Sequence, residues 1–347
     1  MSNSKKVTMA DIANELDVSI NAVSLALNNK SGVSQDLKEK IVNLANDLGY
    51  FEHNPKYKQS VKTRTLCLIT RRRYFSSSNF YSEVILGIQE EAALQKYSLL
   101  VELSDADENI NELPLSIQKN IVRAVIILGP IDDDYLKKIV ETGIPIILVD
   151  TNSSKYNLDS IMSANLDGTY QATKYLLSKG YKDIGFIGDI AYSVSFKERF
   201  RGVIDAINDT NEDFTFKDSV EKIIPYSILY NLENYVIAKD RSSISKKVFS
   251  LKKLPEVFIC SNDELAILLS EIFQSKGLKI PDDISICGFD NIIDAGKSRY
   301  DLTTVNVSKK ALGREAVRRL IWIINNPNAK STRTSIETEL IVRGSTF

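Results

Sequence analysis

The sequence predicts a small all-α helix-turn-helix domain followed by a two-lobed α/β domain with Rossmann-like parallel sheets. Apolar residues among the first 50 positions recur at helical spacing in three short segments. From Thr65 onward, short apolar runs typical of buried strands alternate with helical stretches. About 280 residues is long for a single sheet, so two similar lobes fit this part of the 347-residue chain better.

Two short helices and a polar break open the chain. Thr8 and Asp11 have the spacing of a capping box, and the helix they begin should run to about Leu16. Ser19 is the second N-cap, and Val23 lies on the inward face of the helix that follows. The residues left facing outward on this second helix are Ile20, Asn21, Ser24, Leu25 and Asn28.

A third helix should begin at the Ser34 cap and end near Gly49, which suits a left-handed C-cap. Three short amphipathic helices make a small core with the second helix at its exposed edge. This is the arrangement that places the start of a helix in the DNA major groove.

The remaining chain reads as alternating strands and helices. The predicted strands are 66–69, 99–103, 124–128, 146–149, 184–187, 257–260 and 284–287, with further strands at 160–163 and 220–224. The predicted helices include 81–96, 166–179, 196–208, 265–276 and 309–326.

Composition excludes several classes of protein. The net charge is −1, and residues 1–64 hold nine Lys and Arg against seven Asp and Glu, so the electrostatic footprint on nucleic acid is weak. His53 is the only histidine, and the three cysteines lie in apolar runs, so we expect no metal, no cofactor and no disulfide. The start MSNSKK and the absence of an 18-residue apolar run predict a cytoplasmic protein without a membrane segment.

The segment VTMADIANELDVSINAVSLALNNKSGVSQDLKEKIVNLANDLGY resembles the headpiece of the LacI/GalR family of bacterial transcription regulators. The resemblance implies a homodimer that binds a double-stranded DNA operator with an inverted repeat. Ile20, Asn21 and Leu25 should then face base edges. The residues better suited to phosphates are Thr8, Ser19, Ser24, Asn28, Ser34 and Tyr50.

Residues 51–64 are polar and aperiodic and are predicted to be a hinge linker after a headpiece that spans 1–50. In the family this segment commonly forms a helix on DNA with a Leu wedged into the minor groove. Here Gln59 falls at the wedge position and Pro55 would lie inside the helix. The sequence therefore does not predict minor-groove insertion.

The rest of the chain, 65–347, resembles the periplasmic-binding-protein-like effector domain of the same family. The resemblance rests on five segments, GYKDIGFIG (180–188), RFRG (199–202), CSND (260–263), PDDISICGFDN (281–291) and LTTV (302–305). In that fold three segments cross between the lobes. We therefore place the N-lobe at about 65–163 and 293–326, and the C-lobe at 164–292 and 327–347.

The resemblance also implies a small-molecule site in the cleft between the lobes. Its predicted residues either follow strands or stand in loops at the carboxyl ends of the sheets, where open α/β folds bind ligands. Carboxylates, amides and a fixed guanidinium suit the adjacent hydroxyls of a sugar. An Asp directly after a strand also often caps the next helix, which is the alternative for Asp150 and Asp263. The predicted set is Phe80, Tyr81, Asp150, Arg199, Asn262, Asp263 and Asp290.

The predicted function is thus a repressor of sugar-utilisation genes whose operator binding is controlled by a sugar-type effector. Arg71, Arg72 and Arg73 leave open an anionic or phosphorylated effector, and a protein co-repressor is a further alternative. A free solute-binding protein is a distant one. The sequence carries none of the phosphate-loop, zinc-protease or nucleophile-elbow motifs, so we do not expect an enzyme.

Overall fold

A computed structural model of the chain describes residues 7–28, 30–54, 64–76, 79–104, 112–210, 213–297 and 301–347. It divides into two compact units, one ending at Arg64 and the other beginning at Thr65. Each unit has its own hydrophobic core.

The N-terminal unit is a helical bundle: α1 (Met9–Glu15), α2 (Ile20–Leu27), α3 (Gln35–Asp47) and the short α4 (Tyr50–His53). The Thr8 hydroxyl accepts from the Asp11 amide, and the Asp11 carboxylate accepts from the Thr8 amide, so the capping box is formed. Ser19 Oγ accepts from the Ala22 amide and caps α2. The core holds Ile12, Ala13, Val23, Ala26, Leu27, Ile41, Ala45, Tyr50 and Phe51.

The headpiece extends beyond the predicted boundary at residue 50. Tyr50–His53 form α4, and Phe51 packs in the core with an edge-to-face contact to Tyr50. Residues 51–53 were predicted as linker because their short apolar pair has no helical period of its own. The predicted linker residues Pro55 and Gln59 lie outside the described part of the chain.

The second unit contains two sheets. Its strands are β1 (Thr65–Arg71), β2 (Ser98–Ser104), β3 (Ala124–Leu128), β4 (Ile146–Val149), β5 (Asp159–Ser163), β6 (Ile184–Ile187), β7 (Val257–Cys260), β8 (Ser285–Asp290), β9 (Thr303–Val307), β10 (Arg333–Ile336) and β11 (Thr338–Ile341). The N-lobe sheet has the order β10-β5-β4-β3-β1-β2 and is parallel throughout. The C-lobe sheet has the order β11-β9-β8-β7-β6, in which only β11 runs antiparallel.

Helices cover these sheets. They are α5 (Arg72–Ser76), α6 (Asn79–Leu94), α7 (Leu115–Gln118), α8 (Asp133–Glu141), α9 (Asn165–Ser178), α10 (Val194–Asn208), α11 (Phe216–Ile223), α12 (Glu233–Ile237), α13 (Arg241–Val248), α14 (Asp263–Ser275), α15 (Ile293–Lys297) and α16 (Lys309–Asn325). In the N-lobe, α16 packs along α6 and the sheet. In the C-lobe, α9 and α10 pack on each other.

Two of the predicted lobe boundaries are wrong, and strand pairing gives the reason. Strand β9 pairs with β8 in the C-lobe, so 303–307 is not part of the N-lobe. Strand β10 pairs with β5 in the N-lobe, so 327–336 is not part of the C-lobe. The chain therefore crosses between lobes at 163–165, 307–309 and 336–338, which we call the three crossing segments.

One predicted strand is also wrong. Residues 220–224 belong to α11 and to the 3₁₀ turn Ile224–Tyr226 that follows it. Thr215 and Asp218 form a capping box at the start of α11, a signal that outweighs the short apolar run. Among the residues that the structure describes, no helix is long and apolar enough to cross a bilayer, and no cluster of side chains could hold a metal ion.

Candidate functional sites

The start of α2 is the exposed edge of the headpiece. Ile20 is 54% exposed, although it is apolar, and Asn21 is exposed beside it. Leu25 is half-buried, and its Cδ1 would lie only 3.2 Å from a Cβ on Gly32. The three residues predicted to face base edges thus offer two apolar side chains and one amide.

The residues predicted to contact phosphates differ in how free they are. Thr8, Ser19, Asn28 and Ser34 are exposed, and Ser24 is half-buried. Asn28 Nδ2 donates to the Ser24 carbonyl at 2.8 Å, so this amide already caps the last turn of α2. Tyr50 is 4% exposed and packs in the core, and its burial does not favour a phosphate contact.

Between the lobes, Asp150 at the end of β4 joins side chains from both. The Tyr81 hydroxyl of the N-lobe donates to Asp150 Oδ2 at 2.8 Å, and Ser195 Oγ of the C-lobe donates to Oδ1, also at 2.8 Å. Asp150 has a φ of +53°, the left-handed region that side chains rarely adopt. A strained residue at a strand end that faces another lobe is typical of ligand sites.

Arg199 on α10 is buried and donates in three directions. Its Nη2 contacts Asp290 Oδ1 at 3.0 Å, Nη1 contacts the Ser261 carbonyl at 2.5 Å, and Nε contacts Asn165 Oδ1 at 2.9 Å. The guanidinium also lies 3.7 Å from the centre of the Phe289 ring. Asp290, with φ at +106°, is the second strand-end carboxylate in a left-handed conformation.

Electrostatics at this site are dominated by burial. Burial raises the pKa of Asp290 to about 6, and Asp150 adds to the rise while Arg199 opposes it. Burial also raises the pKa of Asp150, against the Arg199 charge and the donors Tyr81 and Ser195. Both carboxylates therefore feel the charge of the same guanidinium in a buried environment of low dielectric constant, which strengthens the polar contacts made there.

Asn262 and Asp263 have structural partners. Asn262 Oδ1 accepts from the Leu265 amide at 2.9 Å and caps α14. Asp263 is 0% exposed, accepts from Thr304 Oγ1 at 2.6 Å and from the Ile292 amide at 2.9 Å, and has its pKa raised by burial to about 7. The alternative of a local structural role fits Asp263 better than contact with a ligand.

An aromatic cluster lies beside Asp150, of which the sequence predicted Phe80 and Tyr81 but missed Tyr74. The ring centres of Tyr74 and Tyr81 are 4.2 Å apart, and Phe80 packs edge-to-face on Tyr81 at 5.0 Å. Arg73 donates to the hydroxyls of Tyr74 and of Tyr192, which stands in the C-lobe. Tyr192 and Ser195 gave no signal in the sequence, because only the folded chain brings the segment after β6, which includes the start of α10, to the opposite lobe.

The sequence and the fold of the chain match known proteins. The sequence model described as bacterial regulatory proteins of the lacI family matches residues 8–52, and that of a periplasmic binding protein-like domain matches 173–346. The transcriptional repressor PurR of Pasteurella multocida is 28% identical over 97% of this chain and 98% of its own. The transcriptional regulator RegA of Clostridium saccharobutylicum is 28% identical over 98% of this chain and 99% of its own.

Solved structures share the architecture. The transcriptional regulator CelR in complex with cellobiose superimposes with a TM-score of 0.70 at 19% identity over 98% of this chain and 99% of that one. A LacI family regulator from Enterococcus faecium with bound ribose gives 0.66 at 21% identity over 81% of this chain and 98% of that one. The lac repressor dimer bound to operator gives 0.65 at 20% identity over 98% and 99%.

A helix-turn-helix headpiece joined to a two-lobed α/β domain defines a DNA-binding transcription regulator. The chain belongs to the LacI family of bacterial regulatory proteins. Like the PurR repressors that it matches over 98% of their length, it is a transcriptional repressor of that family and not an enzyme.

Proposed function

We propose that a small neutral sugar, bound between the lobes, controls the operator binding of this repressor. The observation that carries the proposal is the double contact of Asp150 with Tyr81 in one lobe and Ser195 in the other. A ligand hydroxyl that donates to Asp150 would compete with these two donors for the charge of the carboxylate. Binding would then change a contact on which the relative position of the lobes depends.

The chemistry of the site favours a polyhydroxylated ligand. Asp150 and Asp290 accept from hydroxyls, Arg199 donates, and Tyr74 and Tyr81 offer ring faces for the apolar side of a sugar. The similar structures of regulators with bound cellobiose and ribose support the same ligand class. Phe80, Asn262 and Asp263 are better placed to support the site than to contact its ligand.

A neutral ligand fits better than the anionic one that Arg73 suggested. The Arg73 guanidinium lies 4.8 Å from the Tyr74 ring centre and 5.3 Å from that of Tyr192. Its charge also acts on Glu233 and Glu264, whose pKa values are raised by burial and lowered by Arg73. A phosphate would compete with these two acids for the charge of Arg73.

The DNA half of the proposal uses two headpieces. One recognition helix reads only a half-site, so a homodimer would present two copies of α2 to an inverted repeat. The lac repressor structure, named as a dimer bound to operator, supports this arrangement. We assign base contacts to Ile20, Asn21 and Leu25, and phosphate contacts to Thr8, Ser19, Ser24 and Ser34.

The proposal is tested by a thermal-shift screen against neutral mono- and disaccharides and their phosphorylated forms, followed by operator titration by fluorescence anisotropy. A bound sugar should raise the melting temperature and change the operator affinity of the wild-type chain. Tyr81→Phe and Ser195→Ala should each reduce the change in operator affinity that the sugar causes, by about 10-fold or more. Each removes one of the two Asp150 contacts on which that change depends, and a hydrogen bond to a charged group contributes roughly 1.5–3 kcal/mol.

Tyr170→Phe is the matched control, since the Tyr170 hydroxyl donates to Asp209 on the surface of the C-lobe. It should respond like the wild type. A melting shift with phosphorylated sugars alone would favour the anionic effector instead. No shift with any sugar in the screen, together with unchanged operator binding, would refute the proposal.

A further inference from the structure

Two of the three crossing segments are hydrogen-bonded to the residues of the proposed effector site. Asn165 ends the first crossing segment, and Lys309 ends the second. We propose that Asn165 and Lys309 are positioning residues that couple Arg199 and Asp290 to the angle between the lobes. The inference rests on the proposed function for the identity of the site, but not for the ligand that occupies it.

Asn165 holds the guanidinium in place from the first crossing segment. It is 1% exposed, its Oδ1 accepts from Arg199 Nε at 2.9 Å, and its Nδ2 donates to Glu198 Oε2 at 3.1 Å. Both groups of its amide are therefore used on α10. A buried amide with two polar partners fixes the rotamer of the arginine it contacts, because rotation would leave a buried polar group unpaired.

The first crossing segment is joined directly to the third. The amide of Ala164, the neighbour of Asn165, donates to the Ile336 carbonyl at 2.8 Å. Thr338 Oγ1 would lie 2.4 Å from a Cβ on Gly168, one turn further along α9. These two segments therefore pack too closely to move independently, and a shift of Asn165 is felt at both.

Lys309 holds Asp290 from the second crossing segment. Its Nζ donates to the Asp290 carbonyl at 2.6 Å, to the Asn291 carbonyl at 3.1 Å and to the Val307 carbonyl at 3.3 Å. Burial lowers the pKa of this lysine, while the carboxylates of Asp290, Asp263 and Glu83 oppose the change. The ammonium thus connects the left-handed turn after β8 to the end of β9, where the chain leaves the C-lobe.

The Arg199–Asp290 ion pair closes the connection. From one crossing segment to another, the path runs through Asn165, Arg199, Asp290 and Lys309, and each step is a hydrogen bond of 3.0 Å or less. A ligand that draws Arg199 or Asp290 toward itself must lengthen a bond to a crossing segment. A rotation of the lobes about these segments would strain the same bonds, so the path couples ligand contact to the angle between the lobes.

The experiment measures distances between the lobes in the full-length chain without any ligand. Spin labels at Lys137→Cys on α8 and Lys217→Cys on α11 report on the two lobes, since both side chains are exposed. The native cysteines Cys67, Cys260 and Cys287 are buried and should not be labelled. Labelled chains are diluted with unlabelled ones, so that the distances by double electron–electron resonance are those within one chain.

Asn165→Ala and Lys309→Met should each broaden and shift the distribution of distances between the lobes. Arg199→Lys should do the same, because lysine lacks the fork that reaches Asn165 and Asp290 together. Combined with Asn165→Ala, it should add little further change, since both act on one path. Asn325→Ala and Lys310→Met are the controls. Asn325 donates to the Ile321 carbonyl within α16, and Lys310 pairs with Glu90 on α6.

A purely structural role for Asn165 would lower the melting temperature but leave the distances in folded protein unchanged, and that result would overturn the inference. Fully additive shifts in the double variant would also overturn it. If Asn165→Ala does not fold, Lys309→Met decides by the same criteria. The absence of any sugar response would refute the proposed effector but would not alter these distances, so the two failures are distinguishable.

Discussion

Arg199, predicted from the sequence as a ligand donor, has its hydrogen bonds within the C-lobe already made. Three of its nitrogens donate to Asp290, to a main-chain carbonyl and to Asn165. A guanidinium carries five N–H groups, so two remain that a ligand could accept from. The three existing bonds hold the group in place, which lowers the entropy that a ligand contact with Arg199 would cost.

Glu233 on α12 is a further acid whose pKa is raised by burial. Its protonation should make the free energy of unfolding depend on pH. Burial raises its pKa from 4.5 to about 7, assisted by Glu264 and Asp189 and opposed by Arg73. The native state therefore holds this proton more tightly than the unfolded chain. The stabilisation from this group is complete below about pH 4.5 and is lost as the pH rises through about 7.

We expect Glu233→Gln to be more stable than the wild type at about pH 8, by roughly 1–3 kcal/mol, because it removes a charge that is costly to bury. The advantage should shrink toward about pH 5. Urea denaturation across this range measures it. Glu221→Gln is the control, since Glu221 is exposed beside Lys217. An advantage for Glu233→Gln that does not vary with pH would contradict the assignment.

At the scale of elements, α6 and α16 cross at two glycines. A Cβ on Gly87 would lie 2.3 Å from the Lys310 carbonyl oxygen, and one on Gly313 would lie 2.2 Å from that of Val84. The two backbones are therefore in contact. The charged pairs of Glu90 with Lys310 and Arg314 lie beside this crossing and are partly exposed, so they add little stability.

Gly313→Ala should force the helices apart and lower the free energy of unfolding by about 1–3 kcal/mol, as overpacking of a close contact does. Chemical denaturation measures the loss. Gly296→Ala on α15 is the control, because its Cβ would meet nothing nearer than 3.8 Å and alanine favours helices. Equal stability of the two variants would show that the crossing tolerates a wider separation.

The elements that the sequence predicted well carry local signals. Caps at Thr8 and Ser19 and apolar runs such as 124–128 and 146–149 depend on neighbours in the chain, and the structure has them at those places. Strands β10 and β11 were missed because their residues alternate only weakly and pair with distant partners. The boundary at 327 was wrong for the same reason, as β10 pairs with β5 across more than 160 positions. The boundary at 293 was wrong because β9, which pairs with the preceding strand β8, was not predicted as a strand.

The predicted site follows the same division. Asp150 and Asp290 could be named from the sequence because they stand at strand ends, and Arg199 because its segment matches the family. Asn165, Tyr192 and Ser195 could not, since their contacts join parts of the chain that only folding brings together. The sequence thus names single candidate positions, and it does not show which of them already bond to each other.

At the scale of the whole molecule, two-fold symmetry should govern DNA affinity. We expect a full palindromic operator to bind about 100-fold or more tightly than a duplex with one half-site scrambled, because the second headpiece binds intramolecularly. Inserting about five base pairs between the half-sites, which turns one half-site to the opposite face, should abolish most of this gain. Anisotropy titrations at fixed salt measure both, and equal affinities for palindrome and half-site would contradict the dimeric arrangement.

The left-handed backbone at Asp150 and Asp290 limits how this repressor can be adapted to new inducers. Residues other than glycine, asparagine and aspartate adopt a positive φ at a higher cost, so fewer alternative side chains are available at either strand end. Tyr81 and Ser195 stand on ordinary helical backbone and carry no such restriction. A directed-evolution library built on these two positions would therefore explore more inducer chemistry, at less risk to folding, than one built on the two aspartates.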